Sequence, residues 1–149
     1  MISIFGSLSL SLGLGMAAIC IFLFSIFLKN NKYGFFIAGS RAAIVVSILS
    51  ILATFLLLNE LLVSNFDVNY VAHYTSLETP LLYKITALWA GQSGSLLFWL
   101  FILSIYTLIV IFQNRNSFTN LLPWVIIVLV GVQAFFLLLV NFVENPFAP

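Results

Sequence analysis

The sequence predicts an all-α integral membrane protein with four transmembrane helices and an amphipathic, interfacial helix on the outward face before the third span. Composition is the first support for this prediction. Of the 149 residues, 63% are hydrophobic and only 6% are charged, and the mean hydropathy is +1.22. A soluble domain carries roughly a quarter of its residues as charged side chains. This chain has too little polar surface to cover its apolar volume in water, so a soluble globular domain is excluded.

Charge and cysteine content exclude further classes of function. The formal net charge of +1 provides no cluster of basic residues for phosphate contacts, so no nucleic acid partner is predicted. The single cysteine, Cys20, lies in an apolar stretch. It therefore excludes an intrachain disulfide, a CxxC redox pair and a cysteine metal cluster.

Four uncharged stretches are long enough to cross a bilayer. A hydrocarbon core of about 30 Å requires about 20 apolar residues in a helix. Polar and charged residues delimit such stretches at about 4–28, 42–63, 95–112 and 121–141. We therefore predict one membrane domain over residues 1–149, in which the polar segment 64–94 forms an outer loop that contains the interfacial helix.

The distribution of charge predicts the orientation. Four of the five basic residues lie in the first and third loops: Lys29, Lys32, Arg41 and Arg115. All four acidic residues lie on the other side, together with Lys84. Because loops rich in Lys and Arg stay in the cytoplasm, both termini and the loop over 64–94 are predicted to face outward.

Small and polar residues inside the spans indicate how the helices pack. Small side chains three or four residues apart let helices approach closely in lipid. The first two spans carry such residues at Ser9, Gly13, Ala17, Ala43, Ser47, Ser50 and Thr54. Gln133 lies near the middle of the fourth span, where an unpaired amide costs several kcal/mol. We expect it to hydrogen-bond to another helix, and lining a polar cavity is the alternative.

The outer loop ends in an amphipathic segment. The Thr-Pro pair that ends at Pro80 is typical of a helix start. From there to Trp89, apolar side chains fall on one face, and polar ones such as Tyr83 and Lys84 fall on the other. An aromatic-bearing amphipathic helix beside a span is typical of the headgroup region. We therefore expect this helix to lie parallel to the membrane.

Four residues without bulky side chains, Gly91 to Gly94, separate this helix from the third span. Two glycines three residues apart allow a sharp turn, or a close approach by another backbone or a flat ligand. Trp89 and Trp99 bracket the turn. Tryptophans at such depths commonly anchor a protein at the membrane interface. The alternative is that they wall a site for a planar apolar molecule.

The segment from Tyr83 to Trp99, YKITALWAGQSGSLLFW, carries a family resemblance. Together with 66–72 in the outer loop and 145–147 after the fourth span, it resembles the N-terminal part of the CcmF family of cytochrome c maturation proteins, which includes the NrfE type. In that family the motif leads into the third span. Ser93 stands where the family carries glutamate, so no carboxylate role can be transferred to it. The family's tryptophan-rich, histidine-flanked heme-handling segment also has no counterpart in these 149 residues.

The resemblance implies a role at the outer face of an energy-transducing membrane. Members of the family are part of the heme lyase that joins heme to the CxxCH cysteines of apocytochrome c. We expect an N-terminal module or a split subunit of such a lyase, with no complete catalytic site of its own. The expected location is the bacterial inner membrane, and the mitochondrial inner membrane is the alternative.

The same resemblance implies a cofactor and partners. Heme is the expected cofactor, with its iron liganded by a partner chain or by the part of the family sequence that has no counterpart here. The expected partners are the remaining heme-lyase segments or subunits, a heme carrier protein, apocytochrome c and the lipid bilayer.

Six residues are expected to shape the outer groove where heme or apocytochrome docks: Trp89, Gly91, Gln92, Gly94, Ser95 and Trp99. None of them is expected to act as an acid, a base or a nucleophile, and no metal ligand set is predicted. The single histidine, His73, is interpreted as a solvated loop residue rather than a heme ligand. The competing functions are a small accessory or scaffold subunit of a respiratory or transport complex, and a non-functional fragment.

Overall fold

The computed structural model describes residues 2–114 and 121–149, which form a bundle of four long helices with two short helices at one end. In chain order the elements are α1 (Ile2–Asn30), α2 (Tyr33–Val63), α3 (Asn69–Tyr74), α4 (Leu81–Thr86), a 3₁₀ turn (Ala87–Trp89), α5 (Gln92–Gln113) and α6 (Leu122–Phe142). The described residues contain no strand. The four long helices α1, α2, α5 and α6 have the length and apolar character needed to cross a membrane. The predicted class, an all-α integral membrane protein with four transmembrane helices, is confirmed.

The helix α2 begins at Tyr33, nine residues before position 42, where the second span was predicted to begin. The prediction ended the apolar stretch at the charge of Arg41. A charged side chain marks the edge of a bilayer, but it does not prevent helix formation. Only Asn31 and Lys32 separate α1 from α2, and Asn31 has a left-handed backbone with φ of 54°. The two helices therefore form a tight antiparallel hairpin.

Each long helix has two main neighbours in the bundle. α1 packs against α2 and α6, and α5 packs against the same two helices. The small residues that the sequence indicated are all buried along these contacts: Ser9, Gly13, Ala17, Ala43, Ser47, Ser50 and Thr54. A Cβ at Gly13 would lie 3.5 Å from the side chain of Leu137 on α6. Small side chains thus let the helices approach closely, as expected in lipid.

Gln133 links two helices in the middle of the bundle. Its side chain on α6 is fully buried, and its Nε2 donates a hydrogen bond of 2.5 Å to Oγ1 of Thr107 on α5. The hydroxyl of Thr107 in turn donates to the carbonyl of Leu103. The expected hydrogen bond between helices is therefore present. The Oε1 atom of Gln133 has no partner among the described residues.

The loop between α5 and α6 contains residues 115–120, which fall outside the described part of the chain. Arg115, used above to predict the orientation, is one of them. The other three basic residues of the predicted cytoplasmic side are described: Lys29 lies in the last turn of α1, Lys32 lies in the hairpin, and Arg41 lies in the third turn of α2. They lie at the opposite end of the bundle from α3 and α4.

Candidate functional site

The segment that connects α2 to α5 holds the predicted site residues. It contains α3, which the sequence did not predict, followed by α4 and the 3₁₀ turn. α4 begins directly after Pro80, as the sequence indicated, but its regular part ends at Thr86. Leu81 and Leu82 are exposed, whereas Ala87 and Leu88 are buried against the bundle. Residues 81–89 therefore form a short helix followed by a tighter 3₁₀ turn. Their apolar side chains are divided between an exposed surface and the surface that faces the bundle.

α4 is attached to the end of α2 by a polar contact. α2 ends at Ser64, which adopts a left-handed conformation with φ of 55°. The Nζ of Lys84 donates a hydrogen bond of 2.6 Å to the hydroxyl of Ser64. Next to it, Nδ2 of Asn65 donates to Oε2 of the buried Glu60 at 2.7 Å. These contacts fix where the chain returns to the bundle before α5.

Tyr70 on α3 organises the turn before α5. Its hydroxyl donates to the carbonyls of Ala87 and Leu88 at 2.8 and 3.2 Å and accepts the N–H of Gly91 at 3.1 Å. Burial raises the pKa of Tyr70 above its ordinary value, so the phenol stays protonated and able to donate. Tyr70 was not among the predicted site residues. The signal that pointed to it was the stretch 66–72, which carries part of the family resemblance.

The two glycines of the motif are needed for close packing within the chain. A Cβ at Gly94 would overlap the hydroxyl of Tyr70 and the carbonyl oxygen of Leu88. A Cβ at Gly91 would lie 2.5 Å from the ring of Tyr74. Of the two interpretations, a sharp turn and a close approach, the second applies to Gly94. The atoms that approach it belong to the same chain.

α5 begins earlier than predicted. Its N-cap is Gly91, with φ of −114° and ψ of 172°, and its first residue is Gln92 rather than Ser95. The prediction treated Gly91 to Gly94 as a break between the interfacial helix and the third span, because two glycines three residues apart allow a sharp turn. The first turn of a helix tolerates glycine because most of its stabilising bonds form further along the chain.

Two tryptophans line an open cleft beside α5. Trp89, Ser95, Phe98 and Trp99 enclose a cavity of about 380 Å³, which we call the aromatic cleft. Trp89 is 44% exposed and Trp99 is 57% exposed. The rings of Trp89 and Phe98 have centroids 5.3 Å apart, and the hydroxyl of Ser95 donates to the carbonyl of Trp89 at 2.9 Å. The cleft presents aromatic surface that no described side chain covers.

A second cavity, the polar cavity, has a volume of about 430 Å³ and lies between α3, the first turn of α5 and the segment after α6. It is lined by Asn69, Tyr70, His73, Tyr74, Gln92, Ser93, Val143, Glu144, Asn145 and Ala148. Nδ1 of His73 lies 3.1 Å from the carbonyl oxygen of Asn69, and the rest of the ring is exposed. The backbone N–H of Asn69 donates to the carbonyl of Ala148 at 3.0 Å, which holds the C-terminal segment against α3.

The six predicted site residues lie next to one another but do not share one surface. Three of them line the aromatic cleft: Trp89, Ser95 and Trp99. Gln92 lines the polar cavity instead. Gly91 and Gly94 point inward beneath the tyrosines of α3. The described residues contain no group of three or more His, Cys, Asp and Glu that could hold a metal ion.

The aromatic cleft suits one face of a flat apolar molecule such as heme. Its walls are indole and phenyl rings, which favour stacked or edge-on contacts with another aromatic system. No histidine lines it, so the cleft itself offers no imidazole ligand for an iron.

No family model matches the chain. Curated relatives do match it. It is 31% identical over 112 residues to the cytochrome c-type biogenesis protein CcmF of Escherichia coli strain K12, which covers 74% of this chain and 17% of the relative. It is 32% identical over 110 residues to CycK of Rhizobium meliloti, covering 74% and 16%. It is 35% identical over 86 residues to NrfE of Haemophilus influenzae, covering 57% and 13%.

A solved structure described as the cytochrome c heme lyase CcmF matches the fold with a TM-score of 0.91 and 26% identity. The match covers 99% of this chain and 25% of that structure. The chain thus spans about a sixth of the length of the curated relatives and a quarter of the solved structure. These similarities confirm the resemblance found in the motif from Tyr83 to Trp99: the chain is similar to cytochrome c-type biogenesis proteins of the CcmF and NrfE types.

Proposed function

We propose that this chain is one module of a cytochrome c heme lyase and assists the covalent attachment of heme to apocytochrome c. The fold match to a heme lyase over almost the whole chain supports this function. Because the match covers a quarter of that protein, the module acts with the remaining heme-lyase segments, either in one longer polypeptide or in separate subunits. A heme carrier protein and apocytochrome c are its further partners.

The observation that carries the proposal is the aromatic cleft at the start of α5. Two tryptophans that are about half exposed stand beside a phenylalanine, with Ser95 between them. Aromatic pairs contribute roughly 0.5–1.5 kcal/mol each beyond the burial of their area. We assign to Trp89 and Trp99 the role of holding the porphyrin ring, and to Ser95 that of fixing the backbone beneath Trp89.

The role of this module is orientation and exclusion of water rather than proton transfer. Thioether formation adds a cysteine S–H across a heme vinyl group, and the substrates themselves supply both reacting groups. The cleft is lined by aromatic side chains and one serine hydroxyl, which already donates to a carbonyl. Gly91 and Gly94 contribute by letting Tyr70 and Tyr74 pack beneath the turn.

We place the cleft on the outer, periplasmic face of the bacterial inner membrane, with both termini on that side. Lys29, Lys32 and Arg41 lie at the other end of the bundle, which supports this orientation because basic loops stay in the cytoplasm. The exposed Leu81 and Leu82 of α4 suit the boundary between headgroups and acyl chains.

Site-directed labelling tests the orientation. In a Cys20→Ser background, Leu77→Cys and Asn31→Cys introduce one thiol at each end of the bundle. A membrane-impermeant maleimide added to intact spheroplasts should label the first variant and spare the second. Labelling of Asn31→Cys alone would reverse the orientation and remove the cleft from the outer face.

Alanine substitution tests the cleft. Trp89→Ala and Trp99→Ala should each lower the yield of covalent heme in a reporter cytochrome c, measured by heme staining in cells that hold the complete lyase. Trp124→Ala is the matched control, because Trp124 is 55% exposed but lies at the start of α6, away from the cleft. An equal loss of yield in all three variants would refute the assigned role of the cleft.

The relatives named above are all cytochrome c-type biogenesis proteins. They give no support to the alternative of an accessory subunit in a respiratory or transport complex.

A further inference from the structure

We infer that the open first turn of α5 binds a carboxylate, and that this carboxylate is a propionate of the heme whose ring lies in the aromatic cleft. The inference rests on the proposed function and adds a second contact for the same substrate. It places the acidic edge of the porphyrin in the polar cavity, beside Gln92 and Ser93.

The N-terminus of α5 carries unused hydrogen-bond donors. The helix has 22 residues, and its N-cap, Gly91, offers no side-chain oxygen. The N–H of Gly91 donates to Tyr70, and that of Ser95 donates to the carbonyl of Gly91 at 2.9 Å. The N–H groups of Gln92 and Ser93 have no partner among the described residues. Free N–H groups at the start of a long helix, together with the helix dipole, favour an anion.

Ser93 independently indicates a ligand in the polar cavity. Its side chain is only 8% exposed, yet it lines the cavity and has no hydrogen-bond partner in the described part of the chain. The Ser93 hydroxyl oxygen is not among the fully enclosed unpaired polar atoms of the described residues, so it opens to the cavity and can donate to a ligand there. A carboxylate oxygen in the cavity would accept from this hydroxyl and from the helix amides at the same time.

The other polar groups of the cavity add donors and one opposing charge. Asn145 uses its Oδ1 to accept the N–H of Phe147 at 2.9 Å, so its Nδ2 remains available to donate. The side-chain amide of Asn69 is a further donor on the wall of the polar cavity. Glu144 also lines the cavity, and its negative charge opposes an anion. Removal of that charge should therefore strengthen the binding of a carboxylate.

The cavity and the cleft both adjoin one face of α5, since Gln92 lines the first and Ser95 and Trp99 line the second. Gln92, Ser95 and Trp99 are three and seven residues apart, so their side chains lie on the same side of the helix. Seven residues correspond to about 10 Å along the axis. A porphyrin carries both propionates on one edge and is apolar elsewhere. Its ring can stack against the tryptophans while that edge points toward the first turn of α5.

The test compares two probes on the full chain in nanodiscs: ferric heme, and ferric heme dimethyl ester, in which both propionates are neutral. We expect heme to bind about tenfold more tightly than the ester, the effect of one charge-assisted hydrogen bond. Ser93→Glu and Gln92→Glu should each abolish this difference by placing a carboxylate at the helix start. Gln92 is exposed, so its variant carries little risk for folding.

Two further variants complete the test. Leu77→Glu adds the same charge at an exposed site that lines neither cavity, and it should leave the preference for heme unchanged. Glu144→Gln should tighten heme binding severalfold without changing the affinity for the ester.

The outcomes separate this inference from the proposed function. Equal binding of the two probes, with both weakened by Trp99→Ala, would overturn the carboxylate site and leave the aromatic cleft in place. A preference for heme that persists in Ser93→Glu and Gln92→Glu would also overturn it, because the propionates would then bind elsewhere. Loss of the preference in those variants without any effect of Trp99→Ala would support the carboxylate site and refute the cleft. Absence of binding by either probe would overturn the carboxylate site.

Discussion

Replacement of Tyr70 by phenylalanine should loosen the turn before α5 without altering the bundle. The substitution removes one hydroxyl and keeps the ring that packs over Gly94. The N–H of Gly91 and the carbonyl of Leu88 then lose the partner that the structure gives them. The carbonyl of Ala87 keeps the N–H of Ala90 at 3.2 Å.

The expected magnitude follows from the two groups left unpaired. Each buried unsatisfied group costs about 1–3 kcal/mol. The polar cavity adjoins Tyr70, and water can enter and satisfy part of the loss. We therefore expect local opening of the turn to become easier by about 2 kcal/mol, which corresponds to roughly a 30-fold change in the opening equilibrium.

Hydrogen exchange measured by mass spectrometry in nanodiscs reports this opening directly. Peptides that cover 87–95 should exchange about 30-fold faster in Tyr70→Phe, whereas peptides from α1 and α6 should be unaffected. Tyr74→Phe is the matched control, because the Tyr74 hydroxyl has no hydrogen bond among the described residues. Equal acceleration in both variants, or none in Tyr70→Phe, would refute the role of the Tyr70 hydroxyl.

Three further predictions concern packing, polar pairing and pH. Gly94→Ala should strongly reduce cytochrome c maturation in the heme-staining assay, because the added methyl group overlaps the side chain of Tyr70. Gly15→Ala is the control and should have no effect, because a Cβ at Gly15 has no neighbouring atom within 4 Å. Thr107→Val should lower the thermal midpoint in detergent more than Gln133→Met does, because only the first leaves a buried amide without any partner, at about 1–3 kcal/mol. Burial raises the pKa of Tyr70, so its contribution to stability is complete below about pH 10, the pKa of a free tyrosine, and is lost as the pH rises through the higher folded value. Alkaline titration of the unfolding free energy should show this loss in the wild-type chain and a smaller one in Tyr70→Phe.

The membrane class and the four spans could be predicted because both depend on local composition. A helix that crosses lipid needs a continuous apolar stretch, and the sequence displays four of them. The start of α2 could not be predicted in the same way. Arg41 interrupts the apolar stretch but continues the helix, so hydropathy underestimates the length of α2.

The detail of the candidate site depends on contacts between residues far apart in sequence. Tyr70 lies 17 residues before Ala87 and 21 before Gly91, and no local pattern specifies that its hydroxyl meets both. The division of the site residues between two cavities depends on the start of α5 at Gln92. The family resemblance groups all six residues in one groove, and it does not specify the direction of the Gln92 side chain.

The hydroxyl of Tyr70 also affects how the cleft meets a ligand. It hydrogen-bonds to the backbone of Ala87 and Gly91 on either side of Trp89, and the hydroxyl of Ser95 donates to the carbonyl of Trp89 itself. The backbone that carries the two indoles is thus preorganised before any substrate arrives. Little conformational entropy of the protein is lost on binding, so a modest area of aromatic contact is enough to bind a planar ligand.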